Sequence, residues 1–389
     1  MKRNDSIDIF RAITMLLMVF VNDLWSLRDI PNWLEHTSAE DDAMGFSDVI
    51  FPAFLFIVGL SIPFAINSRI KKGDSRKLIV FHIFQRSFAL IIMGFFMVNH
   101  EYSRQDLPYI SWNERSVLMV IAFLLIWNHY EKNKVFKFIP VKMLQSIGIF
   151  ILALLVITYN GSTYNHMQWM TPHWWGILGL IGWSYLFISI LYVMTGKSLW
   201  VSAFFLIIWN ILNAQEFYPI YEIKGFKFII SASNYALVMS GTFASVIFLK
   251  MKNTEKEMLY PSILLLLAIV SITYGFSERH LWGISKILGT PSWTTICAGI
   301  SLITFAVVYI ISDVLHYTKW ARWLMPAGRN TLVCYLLPGI VYIFFYPQIR
   351  QIPLYLTTSI TGIVKSLLFA FTIVIITGIL EKLKIKIKL

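Results

Sequence analysis

Apolar residues along this chain gather into long blocks separated by short polar segments. The blocks run approximately from Ile9 to Leu27, Phe46 to Ile66, Ile79 to Val98, Val117 to His129, Leu144 to Tyr159, Trp174 to Thr195, Leu199 to Leu212, Ala232 to Leu249, Leu259 to Phe276, Trp293 to Ile311, Thr331 to Tyr346 and Ile360 to Leu380. Most approach or exceed the ~18 to 20 apolar residues that carry a helix across ~30 Å of hydrocarbon. The pattern predicts an all-α, polytopic helical membrane protein with about 10 to 12 transmembrane helices in one bundle, residues 1–389 forming a single domain. The fourth, fifth and seventh blocks are short enough to be re-entrant.

Composition agrees. Hydrophobic residues make up 57% of the chain and aromatic residues 16%, whereas charged residues make up only 14%, against roughly 25% in a soluble domain. Disorder and a water-soluble globule are both excluded. The net charge of +12 would suggest nucleic acid in a soluble protein, but here the basic residues mark topology, and no nucleic-acid partner is expected. If the N-terminus is cytoplasmic, the inside segments hold Lys2, Arg3, Arg69, Lys71, Lys72, Arg76, Lys77, Lys132, Lys134, Lys137, Lys250, Lys252, Arg322, Arg329, Lys382 and Lys384, and the outside loops hold few cations, Arg28, Lys224, Lys227 and Lys286 among them. The expectation is a multi-pass protein of the cell inner membrane, in contact with its lipids, with both termini cytoplasmic and the first helix retained. The two cysteines, Cys297 and Cys334, both lie in apolar segments, so there is no disulfide framework, no CxxC pair and no metal site by spacing.

Ionisable groups within spans are costly, which makes the few present here candidates for chemistry. Asp8 and Arg11 are three apart on the first helix and share a face, so they can pair at its end. Asn22 lies about 21 Å further along the same helix, toward the outer side. The eighteen-residue loop from Arg28 to Gly45 contains His36, and Asp48 follows at the start of the second block. An imidazole can take and return a proton near neutral pH, and a nearby carboxylate would set its tautomer, so His36 is a candidate base. A solvated loop histidine is the plain alternative. Asp48 near a helix N-terminus reads by default as a cap. Arg86, after a basic loop, must meet a phosphate, a carboxylate or a helix C-terminus, or reach the headgroups. Walker, GxGxxG, HExxH and GxSxG patterns are all missing from the sequence, so nothing supports nucleotide hydrolysis, dinucleotide binding, zinc proteolysis or serine hydrolysis.

The segments Ser6-Ile7-Asp8-Ile9-Phe10-Arg11, Val19-Phe20-Val21-Asn22 and Asp48-Val49-Ile50-Phe51-Pro52-Ala53-Phe54-Leu55-Phe56-Ile57-Val58-Gly59 resemble the transmembrane acyltransferases related to heparan-alpha-glucosaminide N-acetyltransferase. So do Arg86-Ser87-Phe88, Val98-Asn99, Ile110-Ser111-Trp112-Asn113, Leu281-Trp282, Asp313 and Gly328-Arg329-Asn330-Thr331 with Tyr335. The resemblance implies a bundle that takes acetyl-CoA from the cytoplasmic side and passes its acetyl group to an amino sugar or glycan on the periplasmic side. It implies N-acetyl transfer, with O-acetyl transfer as a variant and a homodimer as a possible assembly. His36 is the one histidine between Asn22 and Asp48, where that family carries its catalytic histidine. His36, Asn22 and Asp48 are then the expected catalytic residues, Asn22 as a hydrogen-bond donor to the oxyanion, and Arg11, Arg86 and Asn330 the expected contacts of acetyl-CoA. Transfer could be direct or pass through an acetyl-histidine. Ala12 where the family has Gly, and Thr37-Ser38-Ala39-Glu40 where it has Trp and Gly, indicate a bacterial subgroup of uncharacterised function. The competing class is a secondary transporter or flippase of a sugar-type substrate, which many spans with few buried charges also suit.

Overall fold

The computed structural model describes residues 5–104, 110–130, 139–163, 166–217, 231–252, 254–387 and 389. Of the residues used in the charge pattern, Lys2, Arg3, Lys132, Lys134, Lys137, Lys224 and Lys227 lie outside these. The helices are α1 (Asp5–Asp23), α2 (Ser47–Lys71), α3 (Arg76–Glu101), α4 (Trp112–Trp127), α5 (Val141–Ile157), α6 (Gly176–Thr195), α7 (Leu199–Phe217), α8 (Ala232–Met251), α9 (Tyr260–Ser277), α10 (Arg279–Trp282), α11 (Pro291–Tyr309), α12 (Met325–Arg329), α13 (Thr331–Arg350) and α14 (Ser359–Lys382). Each of the twelve apolar blocks is a helix. Among the described residues, eight helices are long and apolar enough to cross a membrane by length and composition: α2, α3, α6, α7, α8, α9, α11 and α14. α1 matches them in length, but the bundle buries its charged groups Asp8 and Asp23.

Local signals set several boundaries. Ser111 and Glu114 form a reciprocal capping box that starts α4, and Thr290 caps α11 by accepting from the Trp293 N–H, so orphan amides of the first turn are satisfied. One departure from a purely helical chain is a small antiparallel hairpin, Gly161–Thr163 with His166–Gln168, between α5 and α6.

The helices pack as pairs around α1. α2 lies along α8, α3 along α6, α9 along α11 and α4 along α5, while α1 touches α2, α11, α12, α13 and α14. In hydrocarbon no hydrophobic force pulls helices together, so close backbone approach must supply the attraction. The α2–α8 contact shows this directly. A Cβ on Gly59 would stand 1.9 Å from the Val238 carbonyl oxygen, and one on Gly241 1.9 Å from that of Phe56. Next to it the rings of Phe10, Phe56 and Phe305 cluster with centroids 5.9 to 6.5 Å apart, joining α1, α2 and α11. The result is a closely packed centre with one chemically distinct end on each side.

Candidate active site

At the end where α1 stops and α2 begins, the Arg28–Gly45 loop folds back onto α2. The Phe46 N–H donates to the Trp33 carbonyl at 2.7 Å, and the Ser47 hydroxyl donates to the Leu34 carbonyl at 2.6 Å. Gly45 is needed there, because a Cβ would stand 1.9 Å from the Glu35 carbonyl oxygen. This folding brings His36 onto Asp48, with Nδ1 2.6 Å from Oδ1. Asp48 is fully buried, and its Oδ2 accepts from Gly45 N–H at 3.0 Å, Thr37 N–H at 3.2 Å and the Thr37 hydroxyl at 3.1 Å.

The default reading of Asp48 as a helix cap is therefore corrected. The N-cap of α2 is Phe46, with no side-chain cap bond. The Asp48 carboxylate turns back to order the loop and the imidazole instead. An ionised carboxylate can only accept, so His36 Nδ1 carries the ring proton and Nε2 presents its lone pair. The ring itself is 47% exposed.

A third group comes from 250 residues away. Asp42 accepts from Arg279 Nε at 2.8 Å and from the Ile284 N–H at 2.6 Å, and the Ala43 N–H donates to the Ile284 carbonyl at 3.0 Å. The loop before α11 is thus tied to the first loop, and it carries Lys286. Lys286 Nζ sits 3.0 Å from His36 Nδ1, 3.4 Å from Nε2 and 3.7 Å from Asp48 Oδ1. Burial pushes the Lys286 ammonium below its ordinary pKa, and the Asp48 carboxylate beside it opposes that shift. Nδ1 already holds a hydrogen, and an ammonium carries three donors, so Lys286 keeps donor capacity for an oxygen placed beside the ring.

Asn22 does not join this group. It is exposed near the end of α1, and no hydrogen bond ties it to His36 among the described residues. Its neighbour Asp23 is the buried one, ion-paired with Lys365 at 2.9 Å and accepting from the Tyr342 hydroxyl, which clamps α13 and α14 to α1.

At the other end of the bundle a cavity of about 570 Å³ opens between α1, α2, α3, α6 and α13. Arg11, Arg86 and Arg329 line it together with apolar residues such as Met18, Leu90 and Leu332. Arg11 pairs with Asp8 at 3.0 Å and donates to the Ser61 hydroxyl at 2.6 Å. The Arg86 guanidinium lies 4.7 Å from the centroid of the Tyr185 ring, and its buried Nε has no hydrogen-bond partner among the described residues. A buried donor left unpaired in this way suits an anionic ligand. Asn330 stands beside the cavity rather than in its lining, and its amide donates to the Ile385 carbonyl at 3.0 Å. On α2 the lining runs from Phe54 to Ser68, about 21 Å of helix, and ends about 9 Å short of Asp48. Met18, Phe54 and Ile177 are the lining residues nearest the His36 end.

With this geometry in hand, comparison with known proteins places the chain. A family model described as a domain of unknown function (DUF5009) matches residues 3–223. The chain belongs to that family. This DUF5009 protein is also 34% identical over 113 residues to heparan-alpha-glucosaminide N-acetyltransferase of Homo sapiens, and 33% identical over 112 residues to that of Mus musculus. Each match covers 28% of this chain and only 15% of the relative's length. Lys286, which lies beyond the matched residues 3–223, is the residue of this cluster that sequence reasoning missed. Its one signal was a cation in an outer loop, against the general charge bias.

Proposed function

We propose that this protein is an acyl-CoA-dependent membrane N-acetyltransferase, taking an acetyl group from acetyl-CoA at the arginine end and delivering it to the amine of an amino sugar or glycan at the His36 end. The observation that carries the reading is the His36–Asp48–Lys286 constellation, a base with an oriented tautomer and an ammonium poised above it. The excess of Lys and Arg at the Arg11 end supports that end as cytoplasmic, hence the inner membrane with the acceptor outside.

Acetyl-CoA supplies the activated acyl group as a thioester. Arg11, Arg86 and Arg329 would hold its phosphates, as point charges and as forked donors, and the apolar wall of the cavity suits its arm. His36 Nε2 removes the proton of the amine as its nitrogen attacks the thioester carbonyl, the C–S bond then breaks, and the proton is returned to the departing CoA thiolate; a positioned base of this kind contributes about 10²- to 10⁴-fold. Asp48 keeps Nδ1 protonated and stabilises the imidazolium as it forms. Lys286 donates to the oxyanion, the role the sequence suggested for Asn22; one such donor is worth ~2.7 to 4 kcal/mol where it has been measured. The cavity lining stops about 9 Å short of Asp48 along α2, so direct and two-step transfer alike need a movement that brings the thioester to His36. In the two-step route His36 Nε2 is itself the nucleophile, takes the acetyl group as CoA thiolate leaves, and is then displaced by the amine.

Replacing His36 with alanine tests the reading. Acetyl transfer from acetyl-CoA to glucosamine is lost, while thermal stabilisation by CoA persists. Full transfer by His36→Ala overturns the assignment.

A further inference from the structure

A second cavity, of about 590 Å³, runs along the outside of the bundle between α7 and α9 and is floored by α8 and α11. Its volume is in the range of small-molecule sites, and its composition changes along its length. Leu206, Phe243, Leu267 and Leu302 line the middle of the bundle, whereas Ser271, Tyr274 and Trp282 lie at the end that carries His36. The flanking residues Ile207, Ile211 and Val270 are 59%, 51% and 58% exposed, so the groove opens sideways toward the bilayer. An apolar slot at this depth takes a hydrocarbon chain, since lipid is its surrounding solvent.

Two further observations give the chain a head. The indole Nε1 of Trp282 is buried and has no hydrogen-bond partner among the described residues, an unmet donor at the polar end of the slot. Trp282 also leads through Gly283, Ile284 and Ser285 to Lys286, four residues on and so at most about 14 Å away. Ile284 is the residue bonded to Asp42 of the His36 loop. The polar end of the groove and the His36–Lys286 pair therefore belong to one stitched surface.

We infer that the acceptor is an amino sugar carried on a long hydrocarbon chain, the chain lying in the α7–α9 groove, an oxygen of the sugar or its linkage accepting from Trp282, and the sugar amine reaching His36. This rests on the transferase reading above and names its substrate class.

The test uses the full chain in phosphatidylcholine nanodiscs with methyl and dodecyl β-glucosaminide as acceptors. Dodecyl glucosaminide is expected to show an apparent KM at least tenfold lower. Ala214→Trp and Ser240→Phe, two separate substitutions that fill the groove, remove that advantage and leave turnover of the methyl compound unchanged. An advantage that survives in both filled proteins reflects partition into the bilayer and overturns the inference. If neither glucosaminide is acetylated, the transferase reading fails on its own, and a binding measurement still decides the groove. A glucosaminide with a diazirine at its chain end should label residues 206–215 and 267–274, be displaced by dodecyl glucosaminide, and lose labelling in the filled variants. Labelling elsewhere, or equal labelling by a diazirine phosphatidylcholine that dodecyl glucosaminide does not displace, shows an ordinary bilayer lipid and overturns it.

Discussion

Replacing Asp48 with asparagine changes one atom at the centre of the candidate site. Oδ2 of Asp48 accepts from three donors, Gly45 N–H, Thr37 N–H and the Thr37 hydroxyl, so in Asp48→Asn the one remaining side-chain oxygen stays on that side. The new NH2 group then faces His36 Nδ1, 2.6 Å away in the native protein, and can only donate to it. The imidazole must reverse its tautomer, Nε2 gains the hydrogen, and the lone pair that would accept the substrate proton is gone. Loss of a positioned base costs about 10²- to 10⁴-fold in rate, or about 2.7 to 5.4 kcal/mol at 1.36 kcal/mol per tenfold. Folding loses the charge-assisted bond to His36, about 1.5 to 3 kcal/mol, while the three bonds of the loop survive as weaker, neutral ones. The assay is acetyl transfer from radiolabelled acetyl-CoA to glucosamine, run beside CoA-induced thermal stabilisation to report donor binding. The expected result is transfer down by at least 100-fold with CoA stabilisation retained. Transfer within threefold of wild type would refute the tautomer argument. Loss of transfer and CoA stabilisation together would mean that Asp48 supports the fold of the whole bundle and not the imidazole alone.

Three other perturbations follow from the geometry. Arg86→Gln removes the charge beside Tyr185 and should weaken CoA binding roughly 10- to 150-fold, the equivalent of one charge-assisted bond of about 1.5 to 3 kcal/mol, measured by titration calorimetry; unchanged affinity would take Arg86 out of the donor site. Gly241→Ala places a methyl group 1.9 Å from the Phe56 carbonyl, and with backbone on both sides the helices must part, so stability should fall by about 1 to 3 kcal/mol or more, read as a lower Tm. Lys286 has its pKa lowered by burial, so between that lowered value and the ordinary one the unfolded chain binds the extra proton and stability rises with pH. Wild type should therefore gain Tm relative to Lys286→Met as pH is raised toward the ordinary lysine value of about 10.4; a difference that is flat in pH contradicts the burial argument.

The sequence by itself determined the class of the protein and the place of every long helix. Hydrocarbon forces each spanning segment to satisfy its own backbone, so a long apolar block has little choice but helix, and all twelve blocks became helices. The charge pair Asp8 and Arg11 was legible for the same local reason, three residues apart on one face. His36 and Asp48 were legible as a pair only in part, since a loop between them leaves their distance open until Gly45, Ser47 and Phe46 close it. Lys286 and the groove between α7 and α9 were not legible. A contact across 250 residues depends on how helices pack, and packing in a membrane turns on small-residue surfaces such as Gly59 against Val238 and Gly241 against Phe56, and on bonds between loops such as Asp42 with Ile284. Helical periodicity says which faces are apolar and leaves open which faces meet. Only the assembled bundle could put an ammonium, an imidazole and a buried carboxylate at one end and three arginines around a cavity at the other.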